Sequence, residues 1–191
     1  LVVLGGSMSC QDDAEAPWLA PTRQLISRTV RAGTPFLGIC LGHQLATIAL
    51  GGQVCTSDHF CLGAAEMHLA PEGKKDPLLS VYDGHRGIHF NNDVAVVLPE
   101  DAVLLARDPT GQIEAVRFAE RAWGVQFHPE CTPEIFDAWT IGHGEKEWQQ
   151  RLPWSEAVTV AETVRRDIDT VNAEEAFAAR FQELIDLSLI H

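Results

Sequence analysis

The sequence has little positive charge. Its 191 residues include 14 lysines and arginines against 27 aspartates and glutamates, which gives a formal net charge of −13 at pH 7. Because an acidic surface repels nucleic acid and anionic lipid, we expect neither of them as a general partner. The chain also has no run that approaches the roughly 20 apolar residues of a transmembrane helix, so we expect no membrane segment.

Cysteine is scarce and irregularly spaced. Cys10, Cys40, Cys55, Cys61 and Cys131 form no CxxC pair, so their spacing indicates neither a zinc site nor a disulfide scaffold. Most of them are interpreted most simply as small buried apolar residues in a reducing compartment. We therefore expect a cytoplasmic protein that uses no metal and no cofactor.

The sequence contains neither an internal repeat nor a low-complexity linker. Its length suits one domain, and a hydrophobic share of 46% with a charged share of 21% is typical of globular proteins. We expect a single domain over residues 1–191, with a motif-bearing core at 1–139 and a helical extension at 140–191.

The first fifty residues alternate between strand and helix patterns. The apolar runs LVVLGG (1–6) and TPFLGIC (34–40) are typical of buried parallel strands. Helical spacing of apolar residues follows each run, at about 22–32 and at 41–50, and each helix pattern ends at glycine. This order predicts a three-layer α/β fold with a largely parallel central sheet flanked by helices.

The pattern changes after Gly52. Short strand-like segments separated by turn residues predict a mixed or antiparallel extension of the sheet: QVCTS, AAEMHLA, AVLLARD, IEAVRFA and AWGVQF. A later helix is expected to have Thr132 as its N-cap and Pro133 as its first residue. The tail predicts two amphipathic helices, the second with Asn172 and Glu175 spaced as a capping box.

A thiol occupies the junction between the second strand and its helix. Residues 38–42 read G-x-C-x-G around Cys40, the cysteine form of a nucleophile elbow. Small neighbours let the strained backbone pass, the helix N-terminus favours a thiolate, and the Leu41 amide faces the place where an oxyanion would form. The plain alternative is a buried cysteine in a glycine-rich turn.

A thiolate nucleophile needs a base, and the chain has eight histidines. His128 follows an apolar strand, and Glu130 comes two residues later, so alternation points both side chains the same way and the carboxylate could hold the imidazole. His43 lies on the elbow helix and is expected to pack or hydrogen-bond locally, whereas His89 stays open. Taken alone, His128 is interpreted more simply as a loop histidine beside an acid, but with an elbow cysteine in the same chain that interpretation becomes the weaker one.

GICLGHQ at 38–44 and QFHPE at 126–130 resemble the motifs of the class I, or triad, glutamine amidotransferases, in the order and separation of that family. The resemblance covers roughly 1–139. The segments LVVLGGSMS, PWL, DPLL and LPEDAVLLARD are most similar to stand-alone, GMP-synthase-like members. The resemblance implies a flavodoxin-like fold.

The resemblance also implies an activity, the hydrolysis of glutamine through a γ-glutamyl thioester. Cys40 would be the nucleophile, His128 the general base and then acid, and Glu130 the group that orients His128. The implied oxyanion hole is the Leu41 amide with the backbone of Gly5 and Gly6, and Gln44 would contact glutamine. Released ammonia would pass to an acceptor on a separate synthetase domain or subunit.

The sequence departs from the family pattern in three places. Relatives usually have a strand and a helix before the position of Leu1, so we expect the natural chain to be longer. Where relatives often have a histidine-glycine-aspartate stretch, this chain has Asn91, Asn92 and Asp93, which are the candidate substrate-binding residues because asparagine can hydrogen-bond an amino acid. No ATP-pyrophosphatase signature such as SGGxDS follows Trp139, so the chain is not a complete GMP synthetase.

Two other functions remain open at this point. The same fold and acyl-enzyme chemistry would serve a hydrolase or peptidase of γ-glutamyl compounds that needs no ammonia acceptor. A non-catalytic family member that keeps the fold is the third hypothesis, and the intact set of Cys40, His128 and Glu130 weighs against it.

Overall fold

A computed structural model describes residues 1–140, 153–168 and 173–188. In chain order the strands are β1 (Val2–Val3), β2 (Phe36–Ile39), β3 (Gln53–Glu66), β4 (His68–Leu69), β5 (Arg86–Val97), β6 (Val103–Arg107), β7 (Ile113–Ala119) and β8 (Ala122–Val125). The helices are α1 (Leu19–Arg31), α2 (Leu41–Ala49), α3 (Pro133–Thr140), α4 (Trp154–Ile168) and α5 (Ala173–Ser188), with short 3₁₀ turns at Gly73–Lys75 and Leu79–Tyr82. No helix within these described ranges is both long enough and apolar enough to cross a bilayer.

The central sheet has the strand order β1-β2-β8-β7-β6-β4. The pairs β1–β2 and β2–β8 are parallel, whereas β8–β7, β7–β6 and β6–β4 are antiparallel. The predicted α/β class with a central sheet and helices is confirmed. The sheet is mixed, because the antiparallel extension is part of it and the parallel pairing is confined to β1, β2 and β8.

Alternation along β2 separates two buried clusters, one on each face of the sheet. Phe36 packs with Ile26 of α1 and Leu45 of α2 on one face. Leu37 and Ile39 belong to the cluster on the other face, which also includes side chains of β8, the second 3₁₀ turn and α5. The helices therefore cover both faces, as a three-layer arrangement requires.

The segment after Gly52 differs from its prediction. QVCTS and the first three residues of AAEMHLA are not separate short strands but parts of the 14-residue strand β3, which pairs antiparallel with β5 in a sheet of its own. The register shifts between Thr56 and Cys61. That irregularity falls within the turn-like residues that made the sequence look interrupted, so the long strand passes through them with a bulge.

Helix boundaries follow local chemistry. α1 begins at Leu19 rather than near Thr22, because Pro21 is tolerated in a first turn, where backbone N–H groups have no intrahelical acceptor. α3 begins at Pro133 as predicted, and the hydroxyl of Thr132 accepts a hydrogen bond from the Ile135 amide at 3.3 Å. The predicted capping residue Asn172 lies outside the described residues.

The tail helices pack onto the rest of the fold through aromatic and small apolar residues. In α5, Phe177 lies edge-on to Tyr82 at a centroid distance of 5.7 Å, and Phe181 lies edge-on to Trp123 at 6.5 Å. In α4, Ala161 belongs to a third buried cluster, which lies next to β5 and α3. Ala161 and Val164 of α4 and Phe177 and Phe181 of α5 are buried, so each helix packs through apolar residues at helical spacing.

The turn between β2 and α2 is strained. Cys40 has φ 50° and ψ −104°, and it is the one non-glycine residue with positive φ in the described part of the chain. A Cβ on Gly38 would lie 2.6 Å from the Gly42 backbone, and a Cβ on Gly42 would lie 2.0 Å from the Val3 carbonyl oxygen. Both glycines of the G-x-C-x-G motif are therefore required by close backbone approach.

We predict that Gly42→Ala destabilises the protein by at least about 3 kcal/mol, because the Val3 carbonyl belongs to the β1 backbone and cannot rotate away as a side chain would. Gly51→Ala is the matched control at the other end of α2. Gly51 has φ 101°, and a Cβ added to it would have no atom within 4 Å. The Gly51→Ala protein should therefore lose only about 1–2 kcal/mol of stability, through backbone strain. Chemical denaturation measures both, and equal losses would contradict the steric account.

Candidate active site

Cys40 lies at the carboxyl edge of the parallel strands. Its amide donates to the Val125 carbonyl at 2.8 Å, which continues the β2–β8 pairing by one step. The residue is 5% exposed. Leu41 is the first residue of α2, where the backbone N–H has no intrahelical acceptor and the helix dipole favours negative charge. The position can therefore stabilise an anion on sulfur or on a bound carbonyl oxygen.

His128 and Glu130 lie just beyond the end of β8, beside Cys40. His128 is buried, and its amide donates to the Ile88 carbonyl at 2.8 Å. Its Nδ1 donates to Glu130 Oε1 at 2.8 Å, and that glutamate side chain is 30% exposed. Since Nδ1 carries a hydrogen toward the carboxylate, Nε2 is the nitrogen available for chemistry, and it has no hydrogen-bond partner among the described residues.

The two glycines that follow β1, Gly5 and Gly6, lie against Cys40, Leu41 and His128. A Cβ on Gly5 would lie 2.9 Å from His128 Cε1 and 3.6 Å from Cys40 Cβ, and a Cβ on Gly6 would lie 2.7 Å from the Leu41 side chain. The loop backbone therefore passes directly over the thiol and the imidazole. The residues that the sequence proposed for the oxyanion hole thus lie together, and that role stays a prediction.

The charge on His128 depends on its neighbours. Burial alone would lower the pKa of His128, but the Cys40 side chain and the Glu130 carboxylate favour the charged ring and raise that pKa from 6.5 to about 9. His128 is therefore an imidazolium at neutral pH. An imidazolium beside a thiol stabilises the thiolate, so the pair is suited to nucleophilic attack followed by proton donation.

His43 and His89 have different surroundings. His43 is fully buried, stacks on Phe118 at 5.8 Å and has no hydrogen-bond partner on either ring nitrogen within the described ranges, and burial lowers its pKa to about 4. His89 contacts Glu114 at 2.6 Å through Nε2 and the Gly87 carbonyl at 3.0 Å through Nδ1. Although burial opposes it, the Glu114 carboxylate raises the pKa of His89. Of the two local roles predicted for His43, packing or hydrogen bonding, the described structure shows packing. His89 is already paired with Glu114.

A small cavity of about 100 Å³ opens beside the thiol, and its lining includes Cys40, Gln44 and residues 90–93. Asn92 is exposed, whereas Asn91 and Asp93 are buried. The Asp93 carboxylate is already engaged, since it accepts from Ser9 Oγ at 2.5 Å and from Thr56 Oγ1 at 2.9 Å. Asp93 therefore braces the cavity wall through these two hydrogen bonds.

The two buried amide side chains of the cavity, Gln44 and Asn91, present oxygen atoms. Both N–H groups of Gln44 are used, one on the Asp93 carbonyl at 2.8 Å and one on Gln126 Oε1 at 3.2 Å. Asn91 donates to the same carbonyl at 3.2 Å, and its Oδ1 is buried with no partner in the described structure. Both residues therefore leave an amide oxygen that can accept a hydrogen bond from a ligand.

Two neighbours of the site were not singled out from the sequence. Gln126 is fully buried, and its Nε2 donates to Cys40 Sγ at 3.6 Å. The signal was present, because alternation places Gln126 on the same strand face as His128. Trp139 lies against the His128 ring at a centroid distance of 4.6 Å. It comes from α3, and no sequence pattern indicates that contact.

Comparison with known proteins gives one family. The family model for glutamine amidotransferase class-I matches residues 1–142. The glutamine amidotransferase-like protein YfeJ of Salmonella typhimurium is 31% identical over 151 residues, which are 77% of this chain and 62% of that protein. A subunit of the glutamine-hydrolysing GMP synthase of Methanothermobacter thermautotrophicus is 34% identical over 101 residues, 50% of this chain and 51% of the relative. The chain thus spans less than two thirds of these relatives.

Solved structures show the same fold. A glutamine amidotransferase of Thermotoga maritima superposes with a TM-score of 0.79 at 21% identity, over 96% of this chain and 77% of that one. A glutamine amidotransferase of Methylobacillus flagellatus gives a TM-score of 0.75 at 24% identity, over 94% and 74% of the two chains. At these identities the likeness concerns architecture.

We predict that His43 makes the fold acid-sensitive. Because its pKa is about 4 in the folded chain and near 6.5 when unfolded, unfolding takes up a proton between these values. The free energy of unfolding should therefore fall by up to about 3 kcal/mol from pH 6.5 to 4 on account of this residue. His43→Leu should lack that contribution in denaturation curves, whereas exposed His68→Leu should follow the wild type. Parallel curves for His43→Leu and wild type would contradict the assignment.

Proposed function

The chain belongs to the class I glutamine amidotransferase family, and from this premise we propose that it hydrolyses the side-chain amide of glutamine through a thioester on Cys40. The observation that carries the proposal is the series formed by the Cys40 thiol, the His128 ring and the Glu130 carboxylate, with the 2.8 Å contact from Nδ1 to Oε1 at its end. The series opens onto a cavity lined by Cys40. A structural cysteine has no need of either feature.

The proposed reaction begins with the Cys40 thiolate. Its sulfur attacks the side-chain carbonyl carbon of glutamine, and the carbonyl electron pair moves onto oxygen. His128 Nε2 then gives its proton to the departing nitrogen, so ammonia leaves and a γ-glutamyl thioester remains. Water adds to the thioester as the neutral His128 takes its proton, and collapse releases glutamate and restores the thiolate with the imidazolium. Glu130 holds the ring throughout.

The oxyanion that forms in both steps needs hydrogen-bond donors at a fixed place. We assign this role to the Leu41 amide and the backbone of Gly5 and Gly6. Support comes from the start of α2 and from the close approach of Gly5 to both Cys40 and His128. Donors that are fixed before the reaction need no reorganisation as charge develops, which is why such sites are effective.

The acceptor-rich wall of the cavity suits the amino end of the substrate. Gln44 Oε1 and Asn91 Oδ1 are two acceptors of this wall that these internal hydrogen bonds leave available. An α-ammonium group donates three hydrogen bonds and carries the positive charge that acceptors prefer. We therefore propose that these two side chains bind the α-ammonium of glutamine, with Asn92 at the exposed rim and Asp93 fixing the wall.

The fate of the ammonia is assigned from the relatives. Two of the GMP synthase relatives are by their names single subunits of a larger enzyme, and we propose that this chain likewise supplies ammonia to a separate synthetase or acceptor subunit. We place the reaction in the cytoplasm. The five cysteines, all of them in the described part of the chain, form no disulfide, and a reducing compartment keeps thiols in that state.

We predict that the protein releases ammonia from glutamine and that Cys40→Ala lowers kcat by at least about a thousandfold, because the covalent route is then lost. Glu130→Gln should lower kcat by about tenfold or more, since the imidazolium loses its charged partner. Exposed Cys55→Ala is the matched control and should keep the wild-type rate. A coupled ammonia assay measures all four proteins.

Two results would contradict the proposal. Faster cleavage of γ-glutamyl dipeptides than of glutamine would assign the site to a γ-glutamyl hydrolase. Equal ammonia release by wild type and Cys40→Ala would mean that the chain has the family fold but does not carry out the proposed thioester chemistry.

A further inference from the structure

We infer that Gln126 is a further residue of the reaction centre, whose side-chain amide donates a hydrogen bond to the Cys40 sulfur and stabilises its thiolate. The inference rests on the proposed role of Cys40 as nucleophile. It adds a second donor to the sulfur, from a residue that belongs neither to the triad nor to the cavity wall.

The position of Gln126 is fixed by its backbone. Its amide donates to the Glu114 carbonyl at 2.8 Å, which continues the β8–β7 pairing beyond the end of β8. The residue is 0% exposed. A fully buried side-chain amide must find its partners within the protein, because an unmade hydrogen bond there carries the full desolvation penalty.

The direction of the hydrogen bonds follows from one backbone carbonyl. The Asp93 carbonyl can only accept, so the Gln44 amide must present Nε2 to it, at 2.8 Å. The second hydrogen of the same nitrogen then points to Gln126 Oε1 at 3.2 Å. With its oxygen committed to Gln44, Gln126 must present its nitrogen to Cys40 Sγ, at 3.6 Å.

A hydrogen bond donated to sulfur by an N–H group favours the charged thiolate over the neutral thiol. The His128 imidazolium supplies positive charge at one side of Cys40, and Gln126 supplies a neutral donor at another. A thiolate accepts both interactions, whereas a thiol accepts them weakly. A series of hydrogen bonds thus runs from the Asp93 backbone carbonyl through the Gln44 and Gln126 side chains to the Cys40 sulfur. It connects the cavity wall that is proposed to face the substrate with the proposed nucleophile.

The test measures alkylation of Cys40 by iodoacetamide at pH 7 and pH 10, followed residue by residue with mass spectrometry. The reagent is neutral and needs no glutamine site. Gln126→Met keeps the length of the side chain and removes the amide. We expect Cys40 to react about tenfold more slowly at pH 7, since a hydrogen bond to a charged group is lost. At pH 10, where thiols ionise without help, the rates should agree within about twofold.

Gln126→Glu gives an independent variant if the methionine disturbs folding. A carboxylate still accepts from Gln44 but offers no donor to sulfur, and its negative charge opposes the thiolate, so the slowing at pH 7 should exceed that of Gln126→Met. Gln112→Met is the matched control. Gln112 contacts Cys61 at the same 3.6 Å, with the glutamine oxygen as acceptor, and its loss should leave the alkylation of Cys40 unchanged.

Two results would overturn the inference. One is an equal rate of Cys40 alkylation in wild type and Gln126→Met at pH 7. The other is equal slowing at both pH values, which indicates that the reagent has lost access to Cys40 rather than that the sulfur has lost a hydrogen-bond donor. The ammonia assay is run in parallel. A wild type that lacks glutaminase activity but shows the expected difference in alkylation would refute the proposed function and support the role of Gln126.

Discussion

The parallel pairing of β2 with β8 is the constraint on which the site depends. Its register sets Gly38 opposite Gly124 and Ile39 opposite Val125, so Cys40 and His128 leave neighbouring strands at the same edge of the sheet. The carboxyl edge of parallel strands is where open α/β sheets bind ligands. Residues separated by almost ninety positions in the chain thereby become neighbours, and both lie against Gly5.

The histidines around this edge are all buried, but their pKa values shift in opposite directions. His43 has no charged partner among the described residues, and burial alone decides its state, so the ring is neutral. His128 and His89 are also buried, but each has a carboxylate within hydrogen-bonding distance, and that contact helps to outweigh the loss of hydration. A charge that can exist only beside its partner is also fixed in place, which is what a proton-transfer group requires.

Local patterns predicted the parts of the site that lie within one segment. The G-x-C-x-G turn and the two-residue spacing of His128 and Glu130 are short-range features, and strand alternation and glycine sterics suffice to interpret them. Contacts between segments were not accessible in this way. The engagement of Asp93 by Ser9 and Thr56 depends on where three separate segments meet, and the length of β3 depends on its pairing with β5 rather than on its own turn-like residues.

The central claim is that Cys40 and His128 form a thiolate–imidazolium pair, and the titration of the His128 ring tests it most directly. Nuclear magnetic resonance of the imidazole signals across pH, in wild type and in Cys40→Ala, reports the charge of the ring. The account predicts a pKa of about 9 for His128 in wild type and a lower pKa in Cys40→Ala, because the sulfur no longer favours the charged ring. A value near the ordinary pKa of about 6.5 in both proteins would contradict the account.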